Sequence, residues 1–302
     1  MPPEGVKLIP HQEVLRFEEI ERVVRAAVAA GAHKVRITGG EPLVRRGILE
    51  LIQRLARVPG LQDLPLTTNG VWLAEMAAAL KPAGLNRVTV SLDTLQPDRY
   101  ERITGQPWLG KVLAGIAAAQ SAGLSPVKIN VVVVPGVNDD EVLDFVRLGG
   151  ENDLEVRFIE RMPIIARSSS PHCGMSAMAF LPSAQLRQRI EAAVGALILE
   201  NGSDLSQPAR VFQRADGQGR IGFIGAISEP FCEDCDRMRL TPDGKLRACL
   251  ASEVELDVKG PLRRGLSDAE LLALYQKAVD LKPKQSAACF APGSRVMSQI
   301  GG

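Results

Sequence analysis

Apolar positions alternate between helical and extended spacing through the first half of the chain. Apolar residues three and four positions apart predict helices, whereas short runs rich in β-branched residues predict strands. The predicted helices are Phe17–Ala30, Ile48–Val58, Leu73–Leu80, Leu109–Ala122 and Asp140–Leu148. The predicted strands are Lys34–Thr38, Asp63–Thr68, Arg87–Leu92, Val127–Val134 and Glu155–Glu160. This alternation predicts βαβ units, and therefore a parallel sheet with right-handed crossovers.

The regular alternation ends near Pro163. A Ser-rich, aperiodic stretch leads to a helix signal over Leu181–Val194, and short strand signals lie between Leu197 and Ala226. A last helix signal covers Asp268–Leu281. We therefore divide the chain into an α/β core, residues 1–163, and a smaller C-terminal unit, residues 164–302.

Polar or glycine-containing segments follow the predicted strands at the point where each strand ends. In a parallel α/β fold these carboxyl ends meet at one edge, where ligands usually bind. Such residues are also common in turns and helix caps, so a single segment establishes no site. Five such segments at equivalent positions favour a ligand site. The segments are Thr38–Pro42, Thr67–Gly70, Ser91–Thr94, Pro135–Asn138 and Ile159–Pro163.

Composition excludes several classes of protein. The 302 residues include 36 Lys and Arg against 35 Asp and Glu, which argues against a general nucleic-acid coat. The longest apolar candidate, Ile129–Val134, falls far short of the ~18 residues of a membrane span. The N-terminus lacks the features of a secretory signal. We expect a cytoplasmic protein with no nucleic-acid or membrane partner.

Three of the five cysteines are clustered. Cys232, Cys235 and Cys249 have the spacing C-x2-C-x13-C, which lets three thiolates reach one metal centre. The odd number of cysteines is not typical of a disulfide framework. Spacing alone leaves zinc and an iron–sulfur cluster equally open. A cluster held by three thiolates would leave one iron available to substrate.

Two arginines follow the second clustered cysteine. Arg237 and Arg239 stand at alternate positions, which would place both guanidinium groups on one face of an extended segment. Such a pair suits phosphate or carboxylate, although an isolated basic loop is often only solvated surface. Beside a metal centre we favour anion binding.

Several motifs together resemble the radical-SAM GTP cyclases of molybdenum cofactor synthesis. Gly-Gly-Glu-Pro at residues 39–42 is moderately specific for radical-SAM enzymes. The Cys and Arg pattern of residues 231–249, with the terminal Gly301-Gly302, is highly specific for the cyclases. The resemblance extends over essentially the whole chain. It implies an α/β fold, an incomplete (β/α)6 radical-SAM barrel with a smaller C-terminal extension that binds an iron–sulfur cluster.

The resemblance also implies roles for individual residues. For S-adenosylmethionine it assigns Gly40, Ser91 and Met162, with Gly39 and Glu41 shaping the adjoining turn. For GTP it assigns Arg36, Thr67, Lys128, Arg237, Met238 and Arg239, with Lys34 and Arg157 as helpers. For a [4Fe–4S] cluster it assigns Cys232, Cys235 and Cys249, and it inserts the Gly301-Gly302 tail into the active site.

The implied activity is that of a lyase. It converts GTP by radical cyclisation into (8S)-3′,8-cyclo-7,8-dihydroguanosine 5′-triphosphate, which a cyclic pyranopterin monophosphate synthase then consumes. The family carries another [4Fe–4S] cluster on a C-x3-C-x2-C motif that this sequence does not contain. We expect that Met1 is an internal start of a longer reading frame, rather than the start of a truncated protein, and that the chain as written is inactive. The reductant stays unidentified, and a homodimer stays open.

Two other classes of function remain open. A different radical-SAM maturase with an auxiliary cluster would act on a peptide, which would give Lys128, Arg237 and Arg239 no polyphosphate to bind. A non-catalytic binding protein would retain GTP and one cluster, or one zinc ion, without cleaving S-adenosylmethionine. GTP binding without that cleavage would single out the second class.

Overall fold

The computed structural model describes residues 9–162, 180–200 and 207–283. The helices are α1 (Phe17–Ala29), α2 (Ile48–Ala56), α3 (Leu73–Leu80), α4 (Pro97–Thr104), α5 (Leu109–Ser121), α6 (Val142–Glu151), α7 (Ser183–Val194), α8 (Lys259–Arg263) and α9 (Asp268–Asp280). The strands are β1 (Leu66–Thr68), β2 (Val88–Ser91), β3 (Lys128–Val133), β4 (Glu155–Glu160), β5 (Leu197–Leu199), β6 (Arg210–Arg214), β7 (Arg220–Ile224), β8 (Arg239–Leu240), β9 (Lys245–Arg247) and β10 (Leu256–Asp257).

A seven-stranded sheet in the order β1-β2-β3-β4-β7-β6-β5 forms the centre of the fold. Strands β1 to β4 run parallel, and β7 joins β4 in parallel before β6 and β5 add antiparallel pairs. The sheet therefore continues past residue 163, where the sequence predicts a domain boundary. In the described part of the chain the sheet stays open and does not close into a barrel, as an incomplete barrel requires.

One face of this sheet is apolar. Side chains alternate between the two faces of a strand, so every second residue of β1 to β4 points toward the helices. The inward-packed residues are each 1% exposed or less: Leu66, Val88, Val90, Ile129, Val131, Val156 and Phe158. They belong to the main core together with residues of α2, α3 and α5. The opposite face is thereby left for polar chemistry.

The C-terminal unit packs a second core against the first helix. Val23 and Ala27 of α1 share a buried cluster with Leu271 and Tyr275 of α9. A capping box at Ser267 starts α9. Strands β8, β9 and β10 form a separate antiparallel sheet beside it. These contacts anchor the segment that carries the clustered cysteines onto the α/β core.

Two predicted elements are wrong in detail. Lys34–Thr38 forms only isolated parallel bridges, Lys34 with Asp63 and Ile37 with Leu66, instead of a regular strand. The reason is Pro65, which has no N–H to donate to the ladder and therefore interrupts it. Helix α6 begins at Val142 rather than Asp140, because residues 135–140 form the turn that precedes it. The prediction also omitted α4, whose polar sequence buries only Tyr100.

The remaining predicted helices and strands agree with the structure to within a few residues at each end. No helix in the three described ranges is long and apolar enough to cross a bilayer. Gly301-Gly302 and Pro163 lie outside the described residues.

Candidate functional site

The polar face of the sheet carries two levels of chemically active side chains. Strand pairing sets both levels, because directly paired residues point to the same side. The lower level holds Thr67, Thr89, Lys128 and Glu155, and the next level toward the carboxyl ends holds Ser91, Asn130 and Arg157. Lys128 opens β3 instead of ending it. Of the predicted GTP residues on these strands, Thr67, Lys128 and Arg157 thus line the polar face of the sheet.

Arg36 reaches across the lower level. One guanidinium nitrogen donates to the hydroxyls of Thr67 and Thr89, at 3.1 Å each. Burial, with repulsion from Arg157 and Arg87, lowers the pKa of Arg36 to about 10, so it stays charged at neutral pH. Thr67 therefore fixes the direction of a cation, which is a positioning role as much as a binding one.

A buried ionic triad stands beside Arg36. The Lys128 ammonium donates to Glu155 at 2.8 Å, and Arg157 donates to the other oxygen of the same carboxylate. All three side chains are at most 10% exposed. Burial and the charge of Arg157 lower the pKa of Lys128 to about 8 despite its ion pair. Burial opposes ionisation of Glu155, but the charges of Arg157 and Lys128 outweigh it and hold the pKa of Glu155 low.

Positive charge exceeds negative charge in this interior. Lys34 lies 3.8 Å from Asp63, which Arg87 also binds with both of its terminal nitrogens. Burial lowers the pKa of Lys34, and repulsion from Arg36 and Arg87 adds to the effect. Arg237, from the C-terminal unit, also repels Arg36. The mutually repelling cations are Lys34, Arg36, Arg87, Lys128, Arg157 and Arg237, and the two carboxylates among them are Asp63 and Glu155.

The residues predicted for S-adenosylmethionine lie at the carboxyl edge of the sheet. Gly40 and Ser91 are exposed there, and Gly39 has φ +153°, a conformation that L side chains rarely adopt. Glu41 points away from solvent. Its carboxylate accepts from the Leu43 amide at 2.9 Å, the Asn69 amide at 2.7 Å and the Thr68 hydroxyl at 2.9 Å. Glu41 therefore holds the glycine turn against β1.

Some of the polar segments after the strands serve the fold. The Asn138 amide donates to the Asp93 and Val132 carbonyls at 2.7 and 2.9 Å. The Asp93 carboxylate accepts from the Val132 amide, and Glu141 accepts from the Thr94 hydroxyl at 2.6 Å. In these two segments the polar residues fasten loops together, as ordinary turn residues do.

Glu160 ties the end of β4 to the C-terminal unit. Its carboxylate accepts from the amides of Ser183, Ile227 and Ser228, at 2.7, 2.9 and 2.9 Å, and from the Ser228 hydroxyl. Burial opposes ionisation, but these hydrogen bonds together lower the pKa of Glu160. These hydrogen bonds of Glu160 fix the position of Met162, two residues further along the chain, relative to the segment that carries Cys232.

The three clustered cysteines line one pocket. The same pocket is bounded by Met162, Phe231, Arg237, Arg239 and Lys282. The side chains of Cys232, Cys235 and Cys249 are thiols of intermediate burial. Within the described ranges, no three His, Cys, Asp or Glu side chains are arranged to hold a single metal ion. The predicted S-adenosylmethionine residue Met162 and the predicted metal ligands therefore share a cavity.

Cations surround the thiols of this pocket. Arg237 lies 4.8 Å above the Phe231 ring, and its Nε is 3.5 Å from the Cys235 Sγ. Burial raises the pKa of the Cys235 thiol, but the charge and hydrogen bond of Arg237 outweigh it, so the net shift is downward. Burial, reinforced by Arg237, lowers the pKa of Arg239 to about 10. Met238, between these arginines, packs instead against the second core.

Sequence reasoning missed two residues of this region. The Asn130 Oδ1 atom is buried on the polar face and has no hydrogen-bond partner in the described part of the chain. Period-two spacing from Lys128 could have placed Asn130 there. Lys282 stands 33 positions after Cys249 in the sequence, and no local pattern indicates that it joins the cysteine pocket.

Comparison with known proteins assigns the class first. The sequence profile of the radical SAM superfamily matches residues 3–149, and that of Molybdenum Cofactor Synthesis C matches residues 154–288. The solved structure of Streptococcus suis SuiB bound to S-adenosylmethionine shares the fold, with a TM-score of 0.56 and 14% identity over 81% of this chain and 56% of that one. Fold and sequence profile together define a radical-SAM protein.

Full-length relatives assign the family. The GTP 3′,8-cyclase of Moorella thermoacetica is 46% identical over 307 residues, which span 100% of this chain and 92% of that protein. The GTP 3′,8-cyclase of Thermodesulfovibrio yellowstonii is 43% identical over 303 residues, with the same coverage of 100% and 92%. The chain belongs to the GTP 3′,8-cyclase family.

Proposed function

We propose that the cationic interior and the cysteine pocket together form the GTP site of a radical-SAM lyase of molybdenum cofactor biosynthesis. The reaction is cyclisation of GTP to (8S)-3′,8-cyclo-7,8-dihydroguanosine 5′-triphosphate. Family membership supports the reaction, and the geometry of this chain supports the placement of the substrate. S-adenosylmethionine occupies the carboxyl edge of the sheet in this proposal.

The mutually repelling buried cations carry the proposal. Burying like charges side by side is unfavourable unless a counterion offsets the repulsion. Arg36, Lys128 and Arg157 stand on one face of the sheet, and the electrostatic reach of Arg237 joins them to the cysteine pocket. A triphosphate supplies several negative charges and many acceptor oxygens to such a set. A peptide substrate supplies no polyphosphate to these cations, which disfavours the peptide maturase.

The cysteine pocket fits an iron–sulfur cluster better than structural zinc. A structural zinc site is closed by a fourth protein ligand, usually Cys or His. Among the described residues that line this pocket, no further Cys or His is present; the charged side chains there are Arg237, Arg239 and Lys282, and cations cannot ligate zinc. They do stabilise thiolates and an anionic cluster. Cys232, Cys235 and Cys249 would therefore hold a [4Fe–4S] cluster with one iron open to the purine.

The chain's own residues hold GTP and S-adenosylmethionine in position. When bound, S-adenosylmethionine and the family's other [4Fe–4S] cluster, whose C-x3-C-x2-C ligands this sequence does not contain, would supply the radical chemistry of the class. Arg36, Lys128 and Arg157 hold the triphosphate in the interior, and Arg237 and Arg239 hold the nucleotide against the thiol-lined pocket. Glu41 keeps the Gly39-Gly40 turn in place for the methionyl group, because glycine lets the backbone approach closely. Glu160 keeps the two ends of the site at a fixed separation.

We also propose a downstream partner and a location. The product would pass to a cyclic pyranopterin monophosphate synthase, and the odd, clustered cysteines favour a reducing cytoplasm. The division into residues 1–163 and 164–302, and a homodimer, stay predictions from the sequence.

Nucleotide binding by calorimetry tests the proposed substrate site. GTP should bind far more tightly than GMP, because the interior cations contact the terminal phosphates. Lys128→Met should weaken GTP binding by about 10- to 100-fold, the value of a charge-assisted hydrogen bond of about 1.5–3 kcal/mol. Lys277→Met removes the same charge from the exposed side of α9 and is the matched control. Equal affinity for GTP and GMP, or equal loss in the two variants, contradicts the proposal.

A further inference from the structure

Lys282 joins the two separate segments that carry the clustered cysteines. Its ammonium donates to the Arg237 carbonyl at 2.7 Å and to the Ala248 carbonyl at 3.1 Å. Arg237 is two residues after Cys235, and Ala248 directly precedes Cys249. A single side chain therefore spans the gap between the two parts of the C-x2-C-x13-C motif.

The base of this side chain is anchored. Lys282 follows α9, and its amide donates to the Val279 carbonyl at 3.0 Å. Leu271 and Tyr275 bury one side of α9 in the second core. The backbone of Lys282 is thus fixed on α9, so its ammonium holds the Arg237 and Ala248 carbonyls close to this helix.

The position of the ammonium also matters for charge. Lys282 lines the same pocket as the three cysteines, so its charge lies beside the proposed ligands. A positive charge beside thiolate ligands stabilises the reduced, more negative state of a cluster. Hydrogen bonds to main-chain carbonyls near ligands are the kind of outer contact that sets ligand separation.

We propose that Lys282 is a positioning residue for the cluster, which clamps the Cys235 and Cys249 segments at ligating distance and raises the reduction potential of the bound centre. The inference rests on the proposed iron–sulfur centre at Cys232, Cys235 and Cys249. It adds a residue that binds neither iron nor GTP.

Anaerobic reconstitution with iron and sulfide tests the inference. The 302-residue chain carries Cys173→Ser and Cys289→Ser, so that bound iron reports only the three clustered thiols. Lys282→Met, Lys282→Arg and the control Lys277→Met are compared in this background. The readouts are iron and sulfide per chain, the rate of iron loss to a chelator, the reduction potential, and thermal unfolding of the metal-free chain.

We expect Lys282→Met to weaken iron retention by about 10- to 100-fold, as outer contacts to metal ligands usually do. Its reduction potential should fall, while metal-free unfolding matches Lys277→Met. Lys282→Arg should keep the potential, because it keeps the charge, and lose iron at an intermediate rate. If the methionine variant cannot be purified, the arginine variant decides by the same two readouts.

The failures are distinguishable. Unchanged iron retention and potential in Lys282→Met, in an iron-loaded parent, overturn the role of Lys282 alone. A lowered potential in Lys282→Arg also overturns it. A parent chain that takes up zinc in preference to iron, or no metal, overturns the proposed cluster and this inference with it.

Discussion

Replacing Glu155 by glutamine should destabilise the free protein and strengthen GTP binding. Glu155 is the one carboxylate that the described structure places directly between Lys128 and Arg157, and its side chain is 3% exposed. Glutamine keeps the shape of the side chain and one acceptor oxygen but removes the charge. Lys128 and Arg157 then face each other without an anion until a ligand supplies one.

The size of both effects follows from burial. Breaking a buried ion pair costs about 3–5 kcal/mol, and the retained amide oxygen places Glu155→Gln at the lower end, about 3 kcal/mol. For a chain of 302 residues, that loss lowers the melting temperature by about 5 °C. A phosphate about 6 Å from the lost carboxylate gains about 2–3 kcal/mol at an effective dielectric constant near 20, enough to tighten GTP binding by tenfold or more.

Thermal unfolding with and without GTP measures the loss of stability and the gain in GTP binding in one assay. Glu155→Gln should melt earlier than the parent without nucleotide and gain more from saturating GTP. Glu151→Gln, at the exposed end of α6, is the matched control and should change neither quantity. An unchanged melting temperature, or a GTP-induced rise smaller than that of the parent, would refute the picture of an interior arranged for a polyanion.

Three further predictions address the same interior. The pKa of Lys128 is lowered from 10.5 to about 8, so the unfolded chain binds this proton more tightly than the folded chain does. The free energy of unfolding should therefore rise as the pH increases from about 8 to 10.5, while the GTP affinity measured by calorimetry falls. Lys128→Met should reduce both trends. Asn130→Ala removes a buried acceptor that lacks a partner within the described residues. It should leave stability to urea unchanged or higher, yet weaken GTP binding by about 1 kcal/mol. Lower stability with unchanged binding would contradict this prediction. Gly222→Ala places a methyl group 3.0 Å from the Arg157 Cγ and should weaken GTP binding, whereas Gly110→Ala, which meets nothing within 4 Å, should not.

The pattern of the sequence predicts the fold well because strand and helix signals alternate regularly through its first half. Strands β3 and β4 are buried, β-branched and separated by an amphipathic helix, so local signals and tertiary packing agree. Residues 34–38 have the same local signal but meet Pro65 in the neighbouring segment. That interruption depends on which residues pair, which a single strand does not encode.

The candidate site was predictable in its members more than in its geometry. Lys128 and Arg157 are found through family motifs, but their shared partner Glu155 follows from the register of β3 against β4. Lys282 is harder to find. It contacts carbonyls 45 and 34 positions away, and those contacts exist only after α9 packs on α1. Interactions of this range come from tertiary structure and leave no local pattern.

A crystal structure of the iron-reconstituted chain with GTP would test the central claim most directly. The account predicts the triphosphate on Arg36, Lys128 and Arg157, with the purine facing a cluster held by Cys232, Cys235 and Cys249. A nucleotide bound outside this interior, or a single zinc ion on the three thiols, would contradict it.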